Sequence, residues 1–391
     1  MTILERDAII SGSGMSRIGR RLGVDGLDLT ADASLAAIAD AGLTPADIDG
    51  VATMGDTPPR DAAARLGIEA TWHGGGFDTG GLLSPLMSAF WAVASGQARH
   101  VLVYRTVLMM GGTILPPASD SDSETEGGAA SAEAPMAEAA KWISPLLTMH
   151  AYSASNWLAM HCRRHMHLYG TTKEQLGWLA LNSRRNAALN PNAAYTEPLT
   201  MDDYLSARMI SDPLGLYDCD VPIDGSIAFV VSHASHADSC PGRPIHIDAI
   251  GGSPGAGAWD QRPDYPKMAS ADAAAQMWAR SDLTPADVDV AELYDGFTYL
   301  TFAWLEALNL CGEGEAGPFV EGGRRIALDG ELPLNTYGGQ LSAGRMHGYW
   351  VVHEAVEQLR GTAGQRQIPD AEVAVAAVGG GPIAGCLTLT R

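Results

Sequence analysis

The chain contains no stretch of about 20 consecutive apolar residues, the length needed to cross a bilayer as a helix. Its first 25 residues break up their apolar runs with Glu5, Asp7, Arg17, Arg20 and Arg21, which argues against a secretory signal core and makes the cytoplasm the expected compartment. Cysteine is scarce. The five present, Cys162, Cys219, Cys240, Cys311 and Cys386, show no Cys-x-x-Cys spacing, so neither a zinc knuckle nor a disulfide framework is indicated, and reduced, mostly buried thiols are expected. Basic residues are few as well: 25 Lys and Arg stand against 46 Asp and Glu, a net charge of −21. That balance repels nucleic acid and anionic membranes, and a negatively charged ligand needs a local basic pocket or a partner that supplies one.

What is present is an ordinary globular composition, 46% hydrophobic, in 391 residues, long enough for two domains or one domain built twice. The pattern favours the second. "DAIISGSG" reads as a strand ending in glycine, "TADASLAAIADAG" as a helix with Leu35, Ile38 and Ala39 on one face, and "LTPADIDGVATM" as a turn leading into a strand. The helix, the connector "LTPAD(I/V)D" and the strand return in "MWARSDLTPADVDVAELY", with Leu43–Asp49 answered by Leu283–Asp289. Recurrence in matching context indicates duplication. "SPLMSAFWAVASGQARHVLVYRT" predicts a buried helix and a strand at about 101–106. The acidic, small-residue stretch 116–135 predicts a long surface loop. Residues 150–210 read as mainly helical. After the second copy come helices near 297–310 and 347–360 and the strands "AEVAVAAV" and "CLTLT". Alternating strands and helices, twice over, give a layered α/β protein.

Several motifs point to weaker chemistry. "GGSPG" matches a Gly-x-Ser-x-Gly nucleophile elbow after a strand, but Pro254-Gly255-Ala256-Gly257 is a poor helix start, which argues against Ser253 as a nucleophile. "GSGMSRIG" spaces Gly12, Gly14 and Gly19 wrongly for a dinucleotide loop and reads as a turn. "HCRRHMHLYG" puts His161 and His165 four apart with His167 beyond, yet no further ligand completes a zinc set; a polar helix face is expected, with no metal. "VGGGPIAG" lets Gly379, Gly380 and Gly381 either nest an oxyanion or make a tight hairpin.

"AELYDGFTYLTFAWLEALNLCGEGEAGPFVEGG", "LPLNTYGGQLSAGRMHG" and "RQIPDAEVAVAAVGGGPIAG" together resemble the thiolase superfamily, specifically the sterol-carrier-protein-type thiolases and their lipid-transfer-protein relatives. The resemblance covers essentially the whole chain. It implies a thiolase-like α/β fold of two duplicated βαβαβαββ halves, residues 1–240 and 241–391, in an αβαβα layering, with a loop domain inserted at about 116–225.

The departures from the family carry the functional reading. The nucleophilic cysteine of a thiolase falls at about Thr79, and no cysteine precedes Cys162. The His-Asp-Cys-Phe box becomes Tyr294-Asp295-Gly296-Phe297, and the Gly-His-Pro histidine becomes Arg345, which cannot serve as a base. Thioester exchange has lost its nucleophile. A retro-aldol cleavage needs none, only proton transfer and a stabilised enolate.

Relatives resembling this chain are steroid side-chain aldolases, so the resemblance implies cleavage of a 17-hydroxy steroid acyl-CoA to a 17-ketosteroid and a short acyl-CoA. Tyr294 would be acid or base, Tyr349 or less readily Tyr337 a second phenol, and Asp295 an orienting acceptor. Arg345 and His347 would tune charge, Arg345 lowering the phenol pKa, while Gly379–Gly381 offer an oxyanion loop. CoA enters as part of the substrate, with no covalently bound cofactor. A homodimer is implied, joined in a heterotetramer by a small OB-fold protein or domain associated with a hydratase subunit. The alternatives are an acyl-CoA thiolase with a displaced nucleophile and a non-catalytic acyl-CoA- or lipid-binding subunit.

Overall fold

The computed structural model describes residues 3–54, 57–76, 80–110, 144–253, 259 and 262–391. The duplicated heptapeptide does the same local work twice. In each copy a threonine (Thr44, Thr284) donates its N–H and hydroxyl to an aspartate three residues on (Asp47, Asp287), at 2.8 and 2.7 Å in both cases, capping a short 3-10 turn. The last aspartate of each copy then binds the neighbouring strand. Asp49 accepts the N–H groups of Arg99 and His100, both at 2.9 Å, and Asp289 those of Glu372 and Val373 at 2.8 and 2.9 Å.

These anchors set two parallel pairs in one nine-stranded sheet. The first half supplies β1 (Ala8–Met15), β2 (Gly50–Thr53), β3 (Trp72–Gly75), β4 (His100–Leu108) and, after the short hairpin β5 (Met209–Ser211) and β6 (Leu214–Gly215), β7 (Asp224–His233). The second supplies β8 (Ile245–Ser253), β9 (Val290–Leu293), β10 (Val373–Gly380) and β11 (Ile383–Thr390). The order β3-β2-β4-β7-β1-β8-β11-β10-β9 is the same walk made in opposite directions, joined where Ile9 and Ile10 of β1 pair with His246 and Ile245 of β8. On the outer side of β9, where the first half has β3, the described residues of the second half form only the bridge of Leu334 to Ala291.

Helices α1 (Gly26–Asp40) and α2 (Pro59–Leu66) cover one face of the first half, burying Ala37 and Ile38 with Leu102, Tyr104, Ala228 and Val230. The alternate residues Val101, Val103, Phe229 and Val231 face the other way, into the cluster that holds α3 (Ser84–Ala94). Helix α7 (Ala269–Trp278) packs on β8 and β11, and α10 (Tyr349–Arg360) touches β1 and β7 as well as β9 and β10. The layering is αβαβα. Between β4 and β7, α4 (Ala154–Tyr169), α5 (Lys173–Ala187) and α6 (Met201–Ser206) form the described part of the insertion; α8 (Thr298–Ala307) and α9 (Ala316–Val320) follow β9.

Four expectations change. Leu35 and Ala39 are exposed, and α1 instead buries Ala33, Ser34, Ala37 and Ile38, because it lies so close to β1 that only small side chains fit beneath it. Gly12 and Gly14 sit inside β1 rather than in a turn. His161 and His165 point into the core: His165 bonds Thr171 at 2.8 Å and Glu306 at 2.9 Å, so this is not a polar face. Two of the cysteines, Cys162 and Cys386, are buried and the other three only partly so. Ser253 ends β8, whereas Pro254–Ala258 and the loop 116–135 lie outside the described residues. No described helix is long and apolar enough to cross a membrane.

The close approach is itself duplicated. A Cβ at Gly12 would stand 2.1 Å from Ala37 O, and one at Gly251 2.0 Å from Ala273 O. Gly12→Ala and Gly251→Ala should each lower the urea midpoint by the equivalent of about 1–3 kcal/mol, the usual cost of overpacking. Gly242→Ala, whose Cβ would meet nothing within 4 Å, should leave it unchanged.

Candidate active site

Strand β9 runs beside β10, and Tyr294 adds one last rung by donating its N–H to Ala377 O at 2.8 Å. The chain then leaves the sheet at Asp295 and Gly296. A side chain at Gly296 would lie 2.8 Å from Tyr294 Cε1, so the tyrosine ring occupies the space beside this glycine. Asp295 is fully buried and faces the turn of residues 335–348. It accepts the N–H of Gln340 at 2.7 Å and of Leu341 at 3.4 Å, with Ser183 Oγ at 3.5 Å. Gly339 makes that approach possible, since a Cβ there would sit 1.9 Å from Asp295 Oδ2.

The same turn carries Arg345 and His347. Arg345 donates Nη1–H to Asp220 Oδ2 at 3.2 Å, while its Nε and Nη2 meet the Met109 sulfur at 3.1 and 3.0 Å. Asp220 is in turn tied to the Tyr294 corner, because its N–H donates to Gly296 O at 3.1 Å. His347 Nδ1 stands 2.5 Å from Arg105 Nη2. A guanidinium can only donate, so Nδ1 accepts and the ring proton sits on Nε2. Burial and the two arginines hold this imidazole well below its usual pKa, which keeps it neutral with its one lone pair already used.

Burial and the Asp220 carboxylate push the Tyr294 phenol well above its ordinary pKa, against the pull of Arg345 and Arg105. Arg345 therefore acts in the expected direction, but desolvation outweighs it, since its charge is shared with Asp220. Burial also raises Asp295, to about 7, and Asp220, to about 6, despite the Arg345 charge beside the latter.

Structure thus brings Tyr294, Asp295 and Arg345 together, with His347 joined through Arg105. Tyr349 opens α10, buried, its ring 5.8 Å from that of Phe229. Tyr337 stacks on Trp350 at 5.2 Å. Gly379, Gly380 and Gly381 form the tight β10–β11 hairpin: Gly381 N–H points at Met268 Sδ (2.9 Å), and Gly379 O and Gly381 O accept from Trp304 Nε1 and Ala269 N. Thr79 lies outside the described residues. No group of three or more metal-ligating side chains occurs among the described residues.

Three contributors were not anticipated: Arg105 on β4, Met109 just after it, and Asp220. "LYDCDVP" offered two aspartates without distinguishing them. Asp218 is saturated by Gly215 N–H, Thr298 Oγ1, Tyr204 and Lys173, whereas Asp220 lines a cavity of about 400 Å³ together with Tyr217, Cys219 and Leu341.

A duplicated sheet with this corner and turn defines a thiolase-type enzyme whose nucleophile chemistry has been replaced. Residues 255–389 match the family described as Thiolase C-terminal domain-like. The chain is 37% identical to a 17-hydroxy-3-oxo-4-pregnene-20-carboxyl-CoA lyase of Mycobacterium tuberculosis, covering 92% of this chain and 93% of that protein. It is 35% identical to a steroid side-chain-cleaving aldolase of Thermomonospora curvata, covering 99% of each. The solved Ltp2-ChsH2(DUF35) aldolase superposes with a TM-score of 0.87 at 33% identity, over 100% of this chain and 99% of that one. The chain belongs to the thiolase superfamily and, within it, to the family of steroid side-chain-cleaving aldolases.

A buried carboxylate that prefers its proton makes stability depend on pH. Between the unfolded pKa of about 4 and a folded value of about 7, the folded chain holds a proton that the unfolded chain has released, so stability falls as pH rises through this window. Asp295→Asn should flatten that slope, read as the change in urea midpoint between about pH 5 and about pH 7.5.

Proposed function

We propose that this enzyme is a retro-aldolase that cleaves a 17-hydroxy steroid acyl-CoA into a 17-ketosteroid and a short acyl-CoA. The observation that carries the reading is Tyr294: a phenol, buried beside Asp220 and Arg345, stands at the strand end where the superfamily's thioester chemistry has its histidine. Full-length identity to two steroid side-chain-cleaving enzymes supports the same substrate class. Held well above its ordinary pKa, the phenol keeps its proton at neutral pH and acts as the donor to the enolate carbon. Asp295 orients the corner on which the phenol stands. Arg345 and the Nε2–H of neutral His347 place donors near the developing charge. Tyr349 is the second phenol of the site.

The displaced-nucleophile alternative has a specific candidate, Cys219, next to Asp220 on the cavity wall. Burial and the flanking Asp218 and Asp220 push its thiol up to about 12, so it stays protonated and is a poor nucleophile. CoA belongs to the substrate, and no further cofactor takes part. The relative solved as Ltp2-ChsH2(DUF35) supports a second subunit here too. In this reading that subunit is a small OB-fold domain associated with a hydratase, bound to a homodimer of this chain as a heterotetramer in the cytoplasm. A net charge of −21 makes that subunit a source of the cationic contacts to the CoA phosphates.

The test is to incubate the protein, with and without such a partner, with 17-hydroxy-3-oxo-4-pregnene-20-carboxyl-CoA and measure the 17-ketone. Ketone should form, and Tyr294→Phe should lower kcat by about 10²-fold or more. Full activity in Tyr294→Phe removes the phenol from the mechanism. Acyl transfer dependent on free CoA would instead mark a thiolase, and no turnover with any partner a binding subunit.

A further inference from the structure

The reaction needs a group that accepts the substrate hydroxyl proton, and Tyr294, Arg345, His347 and Asp295 do not provide one. Tyr294 keeps its own proton. Arg345 is permanently charged, and His347 has spent its lone pair on Arg105. Asp295 has both carboxylate oxygens turned to the amides of the 339–343 turn.

Asp220 differs from all of these. It follows Cys219 in a strand-like segment that bridges to Phe297, and its backbone is fixed by the Gly296 carbonyl. Its side chain is about 10% exposed, and the residue lines the cavity of about 400 Å³. One oxygen, Oδ2, is engaged by Arg345, and no hydrogen bond to Oδ1 is formed among the described residues. The charged and titratable groups around it are Arg345 on the 335–348 turn, Tyr294 and Asp295 at the end of β9, and Cys219 beside it; Arg20, Arg184, Tyr195 and Tyr217 line the same cavity. An oxygen left over on a largely buried carboxylate of a cavity-lining residue, with a guanidinium on the other oxygen, is a proton acceptor in waiting.

Resting on the retro-aldolase reading, we propose that Asp220 is the general base of the cleavage, with Arg345 holding its other oxygen. The Asp220 carboxylate takes the proton of the substrate hydroxyl. The O–H electron pair becomes the second bond of the new ketone, and the bond from the hydroxyl-bearing carbon to the thioester α-carbon breaks. Its electron pair passes to the thioester as an enolate, and Tyr294 delivers a proton to the α-carbon. One proton is taken up and one given, so solvent exchange between Asp220 and Tyr294 closes the cycle without any oxidant or reductant. The carboxylate's rise to about 6 brings its basicity close to neutral pH, where a general base is most effective.

The two proton transfers can be separated experimentally. Cleavage of the hydroxyacyl-CoA requires both, whereas exchange of the α-hydrogens of the short acyl-CoA product with D2O requires only enolate formation and Tyr294. In the full chain with its partner subunit, Asp220→Asn should lower the cleavage kcat by about 10²–10⁴-fold with KM little changed, and retain α-hydrogen exchange within about threefold. The acid limb of the kcat/KM profile, near pH 6 in the wild type, should vanish from the residual activity. Asp220→Glu, which keeps the carboxylate, should recover at least tenfold over Asp220→Asn and guards against a folding defect in the amide variant. Cleavage within tenfold of wild type in Asp220→Asn, parallel loss of exchange and cleavage, or an Asp220→Glu variant no better than Asp220→Asn would each overturn the assignment. Wild-type exchange without wild-type cleavage would instead overturn the retro-aldolase reading itself.

Discussion

Everything at the site hangs on one hydrogen bond between a buried carboxylate and a backbone amide, Asp295 Oδ1 to Gln340 N–H at 2.7 Å. It fastens the end of β9 to the turn that carries Arg345, His347 and, one turn of helix later, the start of α10. A carboxylate so deeply buried is tolerable only because amides converge on it. The bond acts beside two further ties between the same segments, the Asn335 side chain on the Leu293 N–H and the link from Arg345 through Asp220 to Gly296. The glycine at 339 follows from this carboxylate rather than from flexibility, since a Cβ there would collide with Asp295, while the glycine at 296 makes room for the Tyr294 ring.

Repeating elements were the most legible part of the sequence. The heptapeptide ending at Asp49 and Asp289 marked equivalent anchors, because its residues act on neighbours close in sequence or on the next strand of the same half. Tyr294 and Arg345 could be located for a similar reason, as substitutions within recognisable segments. Asp220, Arg105 and Met109 could not. They come from other strands and loops, and their roles arise only from what folding places opposite them. Periodicity also misled where packing distance governs: α1 presents alanines to β1 and turns Leu35 outward, the reverse of what hydrophobicity alone suggests.

Charge distribution shows how a site made for one reaction can host another. A histidine base can be replaced by arginine only if proton acceptance moves elsewhere, because a guanidinium cannot give up its proton at neutral pH. The arginine then gains a different use. It holds an ionised carboxylate where burial alone would neutralise it, and it presents its other N–H edge to a thioether, a weak acceptor that an anionic oxygen readily displaces. Under the proposed mechanism, the acid-base work falls to a phenol and a carboxylate.

The unequal halves have a consequence for assembly. On the outer side of β9 the ladder positions are taken: Ala291 exchanges hydrogen bonds with Pro333 and Asn335, and the Asn335 side chain accepts the N–H of Leu293. At the opposite end β3 pairs only with β2 among the described strands. Among the described residues, the open edge of the sheet is therefore at β3. A contact between copies that used this same edge on both sides would close after two chains instead of propagating into a filament. Among the described residues, the bridge that stands on the outer side of β9 is what makes the two ends of the sheet differ.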